Sequence, residues 1–213
     1  MSAGHLVDRS QPAELCVVRH GETDWNAQGI LQGSIDVPLN DTGRSQAREL
    51  AAVLEGSGIL AVHASTLARS RETALIIARG LRLPDPELHA GLGERHFGAI
   101  EGSAKSALAR SRPDLLRQIR ERDPAGDFAG GESMDAFAAR VQGAVHAIAA
   151  RHRGARVLIV THGWAIDVIV RAADGLAADA ILPTKPANCE CLWLSADQGS
   201  LRRRRGPPPA VVQ

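Results

Sequence analysis

Leu15-Cys16-Val17-Val18-Arg19-His20-Gly21 sets four apolar residues directly before a guanidinium, an imidazole and a glycine. A short apolar run with two valines and no polar alternation is the pattern of a strand buried on both faces. Arg19, His20 and Gly21 then fall at the carboxyl end of a central strand, the edge of an open α/β sheet where ligands bind. The same pattern returns at Val157-Leu158-Ile159-Val160-Thr161-His162-Gly163. Glycine beside an imidazole lets backbone and ligand approach closely. A single His-Gly reads most simply as a satisfied polar group at a strand end or as a helix cap. Two at equivalent positions read differently: if the strands are neighbours, both rings enter one pocket.

Outward from these two strands, helices and strands alternate. Asp41-Thr42 can cap a helix carrying Ala47, Leu50, Ala51 and Leu54 at helical spacing, stopped by Gly56 and Gly58. Residues 59–63 form a further strand, and residues 66–79 a helix ended by Gly80. Residues 81–92 are extended, broken by Pro84 and Pro86. Residues 103–122 are helical, split near Pro113 and rich in arginine, and residues 123–131 form a loop. Ser133 opens a long helix through Ala136, Phe137, Val141, Val145 and Ile148; another runs from Trp164 to about Ala172, and residues 189–194 close the sheet.

Valine-rich strands alternating with helices predict an α/β three-layer sandwich, a mostly parallel central sheet with helices on both faces. One domain is expected over residues 14–200, with a lid or insert at about 103–131. A flexible arm, residues 1–13, precedes it, and a basic, proline-rich tail, residues 201–213, reads as solvated.

The 213 residues suit one generous core; 44% are hydrophobic and 23% charged, which argues against disorder. A net charge of +1 disfavours nucleic acid and anionic membranes as partners. Cys16, Cys189 and Cys191 do not make a disulfide framework. Cys189 and Cys191 alternate in an apolar run and read as small buried residues on one strand face. No stretch has the continuous apolar character of a signal peptide or a membrane span, so a cytoplasmic setting is expected. Oligomeric state stays open, and a homodimer is compatible with the sequence.

Arg69 follows the strand at 59–63 and begins a helix at the same sheet edge. It could pair with Glu72 three residues on, or hold phosphate oxygens through its planar fork. Around it a longer pattern emerges. Arg19-His20-Gly21-Glu22-Thr23-Asp24-Trp25-Asn26 is followed by Leu31-Gln32-Gly33, Asp36, Pro38-Leu39, Gly43 and Gln46-Ala47. Then come Ser65 through Arg69 with Thr73-Ala74, Glu94 with Phe97-Gly98 and Glu101-Gly102, and Thr161-His162-Gly163. This ordered set resembles the histidine phosphatase superfamily, also called the phosphoglycerate mutase-like family.

The resemblance implies that His20 is a nucleophile forming a phosphohistidine, with Arg19, Arg69 and His162 around the equatorial phosphoryl oxygens. Thr23 and Asn26 would add neutral donors, and Gln32, Gly33, Gly163 and Lys105 would contact substrate. Glu94 would be the general acid, although a salt bridge to Arg95 is the simpler structural account; Glu22 would at most orient a cation. The chemistry is coherent. A neutral imidazole meets no charge repulsion at phosphorus, and cations belong where charge resides during in-line transfer. No cofactor and no metal are expected, since neither a P-loop nor a carboxylate set with magnesium-ligand spacing is present.

Within the resemblance, hydrolysis is favoured over mutase chemistry. Phe97 stands where the mutases have tyrosine, and Gly163-Trp164 where they have Gly-Asn. The insert after Glu94 is shorter, and Arg110, Arg112, Arg117, Arg120 and Arg122 are scattered as on a solvated helix face. The expected function is a metal-independent phosphomonoester hydrolase acting on a small phosphorylated substrate. A cofactor-dependent phosphoglycerate mutase is the alternative. A non-catalytic phospholigand-binding relative is the second alternative, and a binder has no need of both a nucleophile and an acid.

Overall fold

In the computed structural model, residues 8–121, 123, 128, 130–176 and 186–204 are described. Their strands are β1 (Ala13–Arg19), β2 (Ile59–Ser65), β3 (Glu87–His89), β4 (Arg156–Thr161), β5 (Cys191–Asp197) and β6 (Ser200–Arg203). The helices are α1 (Asp24–Ala27), α2 (Asp41–Val53), α3 (Ala68–Gly80), α4 (Lys105–Ser111), α5 (Pro113–Glu121), α6 (Met134–Arg151) and α7 (Gly163–Asp174).

The two histidine-ending strands are neighbours. β1 runs parallel to β4 with Arg19 opposite Thr161, so His20 and His162 both step off the same edge. The full order is β3-β2-β4-β1-β5-β6. β3, β2, β4 and β1 are mutually parallel, whereas β5 runs antiparallel to β1 and β6 pairs antiparallel with β5. Alternation along β1 and β4 divides the core in two. Leu15, Val17, Val157 and Ile159 pack with Phe137, Val141 and Val145 of α6 and with Ile169 of α7. Cys16, Val18, Leu158 and Val160 pack with Leu50 of α2 and Ile77 of α3. The molecule is the expected three-layer α/β sandwich with a mostly parallel sheet.

α2 starts one residue from the expected cap: Asn40 caps it, its side chain accepting from the Gly43 amide. The insert is two helices split at Pro113, as expected. Its apolar residues Leu108, Leu115, Leu116 and Ile119 are buried in the core shared with α6 and α7.

Three expectations change. The solvated tail does not begin at residue 201: Leu201 is buried and β6 pairs with β5 from Ser200↔Asp197 to Arg203↔Leu194. Gln198 and Gly199, at φ 43° and 81°, supply the left-handed pair of a tight hairpin turn that arginine-rich flanks conceal. Residues 205–213 lie outside the described residues. The arm boundary shifts as well, because Ala13 is fully buried in β1 and Arg153 donates to the carbonyls of Arg9 and Ser10; residues 1–7 lie outside the described residues. Finally, Cys189 and Cys191 do not share a strand face. Cys189 sits in a turn at φ 56°, its amide donating to the Arg19 carbonyl, and β5 starts only at Cys191.

Candidate active site

The His20 amide leaves β1 donating to the Thr161 carbonyl of β4 at 2.9 Å, which locks the two strand ends together. Its ring turns back on its own chain: Nδ1 lies 2.7 Å from the Gly21 carbonyl. A carbonyl only accepts, so Nδ1 carries the proton and Nε2 of the neutral ring carries the lone pair. Gly21 is required by space, since a Cβ there would lie 2.5 Å from the Gly43 carbonyl oxygen. Behind the ring, Asn188 Nδ2 donates to the His20 carbonyl at 2.8 Å.

His162 is fully buried, its ring centroid 5.2 Å from that of His20 and tilted by 57°. Nε2 lies 2.8 Å from Ser65 Oγ at the end of β2. Ser65 Oγ accepts from the Leu67 amide and keeps its own proton, which it can donate to His162 Nε2 when the ring is the Nδ1–H tautomer. His162 Nδ1 is a buried atom with no hydrogen-bond partner among the described residues. Burial first, then the nearby Arg69, His20 and Arg19, holds the His162 pKa well below 6.5, so the ring is neutral near pH 7.

Arg69 enters from the first turn of α3 and is 1% exposed. Nη1 and Nη2 donate to the carbonyls of Ile35 and Gly33 at 2.8 and 2.7 Å, leaving buried Nε with no hydrogen-bond partner among the described residues. Burial lowers its pKa to about 10, against the opposing pull of Glu94 and Asp36, so it remains cationic near pH 7. Glu72, the alternative partner considered for it, pairs with Arg44 instead. Arg19 is also buried and donates to the Pro186 carbonyl at 2.9 Å.

Glu94 is half-buried. Oε1 accepts from the Arg95 amide at 3.0 Å and Oε2 from the Trp164 amide at 3.2 Å. The Arg95 guanidinium does not form the salt bridge to Glu94 that was the alternative account of that carboxylate. It lies over Phe128 and Trp164, 4.8 and 5.1 Å from the ring centroids, and donates to the Glu132 carbonyl.

Of these groups, Arg19, His20, Arg69 and Glu94 border a cavity of about 370 Å³, whereas the fully buried His162 lies behind His20 and is not part of its lining. Arg19, His20, Asn26, Gln32, Gly33, Arg69, Glu94, Lys105 and Gly163 line it, with Ile30, Phe97, Ile119 and Trp164 as the apolar part of the wall. Lys105 is the only described lysine there; burial, then Arg19 and Arg120, lowers its pKa. Thr23 is not brought to the wall. It is fully buried, and its oxygen accepts from the Asn26 amide in a capping box whose other half is Asn26 Oδ1 accepting from the Thr23 amide. The cap uses the hydroxyl oxygen as acceptor and holds the side chain buried beneath the helix start, away from the cavity.

Sequence reasoning gave no role to Ser65, Asn188 or Arg120. Ser65 ends β2 at the level where β1 and β4 end, a position that could have marked it. Arg120, read as part of a solvated face, is exposed like Arg110, Arg112 and Arg117, but unlike them it lines the cavity, from α5. Arg122 lies outside the described residues. Away from the cavity, His63, Glu87 and His89 present donor atoms within 4.8 Å of one another, a set that could hold a metal ion.

Residues 15–205 match the histidine phosphatase superfamily (branch 1). The chain is 39% identical over 156 residues to phosphoglycerate mutase-like protein 4 of Arabidopsis thaliana, covering 72% of this chain and 68% of that one. It is 37% identical over 176 residues to the metal-independent phosphoserine phosphatase of the same plant, covering 81% and 74%. Its fold superposes on a mycobacterial glucosyl-3-phosphoglycerate phosphatase, solved with VO3, at a TM-score of 0.80 and 28% identity, covering 90% of this chain and 96% of that one. With paired imidazoles and buried guanidinium groups at the carboxyl edge of its sheet, the chain belongs to the histidine phosphatase superfamily, branch 1.

Proposed function

We propose that this enzyme hydrolyses small phosphomonoesters without a metal ion, through a phosphohistidine on His20. The observation that carries the reading is the 2.7 Å contact between His20 Nδ1 and the Gly21 carbonyl. It leaves the cavity-facing ring with its lone pair on Nε2 and fixes its orientation before substrate arrives.

In the first step Nε2 attacks phosphorus in line, the N–P bond forms, and the ester P–O bond breaks. Glu94 gives its proton to the departing oxygen. In the second step water attacks phosphorus, Glu94 takes the water proton, and the N–P bond breaks to release inorganic phosphate. Arg19, Arg69 and His162 Nδ1–H stabilise the equatorial oxygens, with Asn26, Gln32 and Gly33 closing around the ester. A phosphoryl oxygen would give Arg69 Nε, and His162 Nδ1 in its protonated tautomer, the hydrogen-bond partners that they lack among the described residues. The two guanidinium groups supply the positive charge that a metal ion would otherwise bring.

Lys105 and Arg120 add cations farther along the wall, which suits substrates with a second anionic group. Phosphoserine and phosphorylated sugar acids, named in the relatives, fit that description. Mutase chemistry is the less favoured branch. Phe97 is 1% exposed and packed edge-on against Phe128 and Trp164, so it offers no hydroxyl to a second substrate. Three free cysteines suit a reducing, cytoplasmic setting, and no described helix is long and apolar enough to cross a membrane.

The test is turnover of an aryl phosphate with and without EDTA, beside a panel of phosphorylated metabolites and a 3-phosphoglycerate isomerisation assay. Chelator-resistant release of phosphate without isomerisation is expected. Isomerisation would move the enzyme to the mutase branch, and folded protein with no turnover of any ester would leave a phospholigand binder.

A further inference from the structure

A second group of imidazoles lies outside the phosphoryl cavity, where β2, β3 and the end of α6 meet. His63 of β2 is 2% exposed. Its Nδ1 is 3.0 Å from His89 Nε2 on β3, and its Nε2 is 3.0 Å from His152 Nε2 just past α6. Parallel pairing sets His63 directly beside Glu87, whose carboxylate reaches both rings: Oε2 is 3.7 Å from His63 Nδ1 and Oε1 is 3.5 Å from His89 Nε2. None of these four side chains lines the catalytic cavity.

We propose that His63 Nδ1, His89 Nε2 and the Glu87 carboxylate form a binding site for one divalent late transition-metal ion, of which Zn2+ is the type, separate from the catalytic centre. The donor set is chemically apt, because two imidazole nitrogens and a carboxylate suit zinc and its neighbours and suit magnesium poorly. The spacing is apt too. A tetrahedral ion with bonds of 2.0–2.1 Å holds its ligands about 3.3–3.4 Å apart. The observed separations of 3.0, 3.5 and 3.7 Å bracket that edge. Glu87 is half-exposed, so the fourth position opens to water.

His152 completes the arrangement as an orienting partner. A metal on His63 Nδ1 requires the proton on Nε2, and His152 Nε2 stands at hydrogen-bond distance to accept it, as outer-shell partners of ligating histidines do. The competing charge is Arg151, which donates to Glu87 Oε2 at 2.8 Å. Both members of that pair are half-exposed, so the guanidinium can move to solvent when an ion arrives.

The site is tested by stripping the full chain with EDTA, removing the chelator, and titrating Zn2+ alone by calorimetry. The wild type and His20→Gln are expected to bind one equivalent. His89→Gln and Glu87→Gln should each bind at least tenfold more weakly while keeping phosphatase turnover and cooperative melting. Should His89→Gln fail to fold, the half-exposed Glu87→Gln decides alone. No saturable binding by the wild type, affinity untouched in the folded variants, or loss of the equivalent in His20→Gln would overturn the proposal.

Discussion

Two groups of imidazoles stand in this molecule at nearly the same spacing. His20 and His162 have ring centroids 5.2 Å apart; His63 lies 5.2 Å from His89 and 4.9 Å from His152. Distance between rings therefore does not tell one from the other. Their company does. The first pair stands with buried Arg69 and Arg19 and has a carbonyl fixing the His20 tautomer, so it favours an anion. The second faces Glu87, with its guanidinium at the solvent side, so it favours a cation. Strand position sorts them further: the first pair steps beyond the carboxyl ends of β1 and β4, whereas His63 and His89 lie within paired strands.

The largest expected break in this comparison is His20→Ala. Loss of the nucleophile should reduce aryl phosphate turnover by about 10⁴-fold or more and abolish acid-quenched phosphoenzyme labelling, with melting nearly unchanged. Retained turnover would mean that His162 or water attacks directly. A smaller effect is expected from Ser65→Ala, which leaves His162 Nε2 without its hydroxyl partner. A cost of about 1–2 kcal/mol corresponds to roughly a tenfold fall in kcat. Steady-state kinetics with unchanged turnover would show that the serine does not set the His162 tautomer.

The smallest expected effect is on stability. His162 is held neutral in the fold, its pKa lying well below 6.5, while the unfolded ring takes a proton as pH drops through that value. The unfolded state then binds more protons, so stability is full above pH 6.5 and declines progressively below it. Melting temperatures between pH 7.5 and 5.5, with EDTA present, should fall more in the wild type than in His162→Gln. Equal slopes would remove His162 from the account.

Much of the candidate site's edge was readable because its two histidines share a local signature: an apolar strand, then an imidazole, then glycine. His20 and His162 follow from where β1 and β4 must stop, and Arg69 from its place in the first turn of the helix after β2. What escaped has no such signature. Asn188 reaches the His20 carbonyl from a turn 168 residues away in the chain, and nothing in its own neighbourhood announces that. The family resemblance placed Thr23 at the substrate, and the sequence does not show that its side chain is buried as a helix cap. His63, His89 and His152 come from two strands and a helix end, with no repeat spacing to connect them. β6 was lost because only Leu201 among its four residues is apolar, and the turn before it is Gln198-Gly199 rather than the stronger Asn-Gly or Asp-Gly signal.

The hairpin that ends the described chain has a consequence for how copies of this protein meet. Without β5 and β6, β1 would present bare amide and carbonyl groups along the flank of the sheet, an invitation to pair with another molecule. With them, one outer margin is a strand bearing Arg202 and Arg203, and the opposite margin, β3, is only three residues long. Charge blunts one side and brevity the other, so the strand leading to His20 is shielded from intermolecular stacking at high concentration.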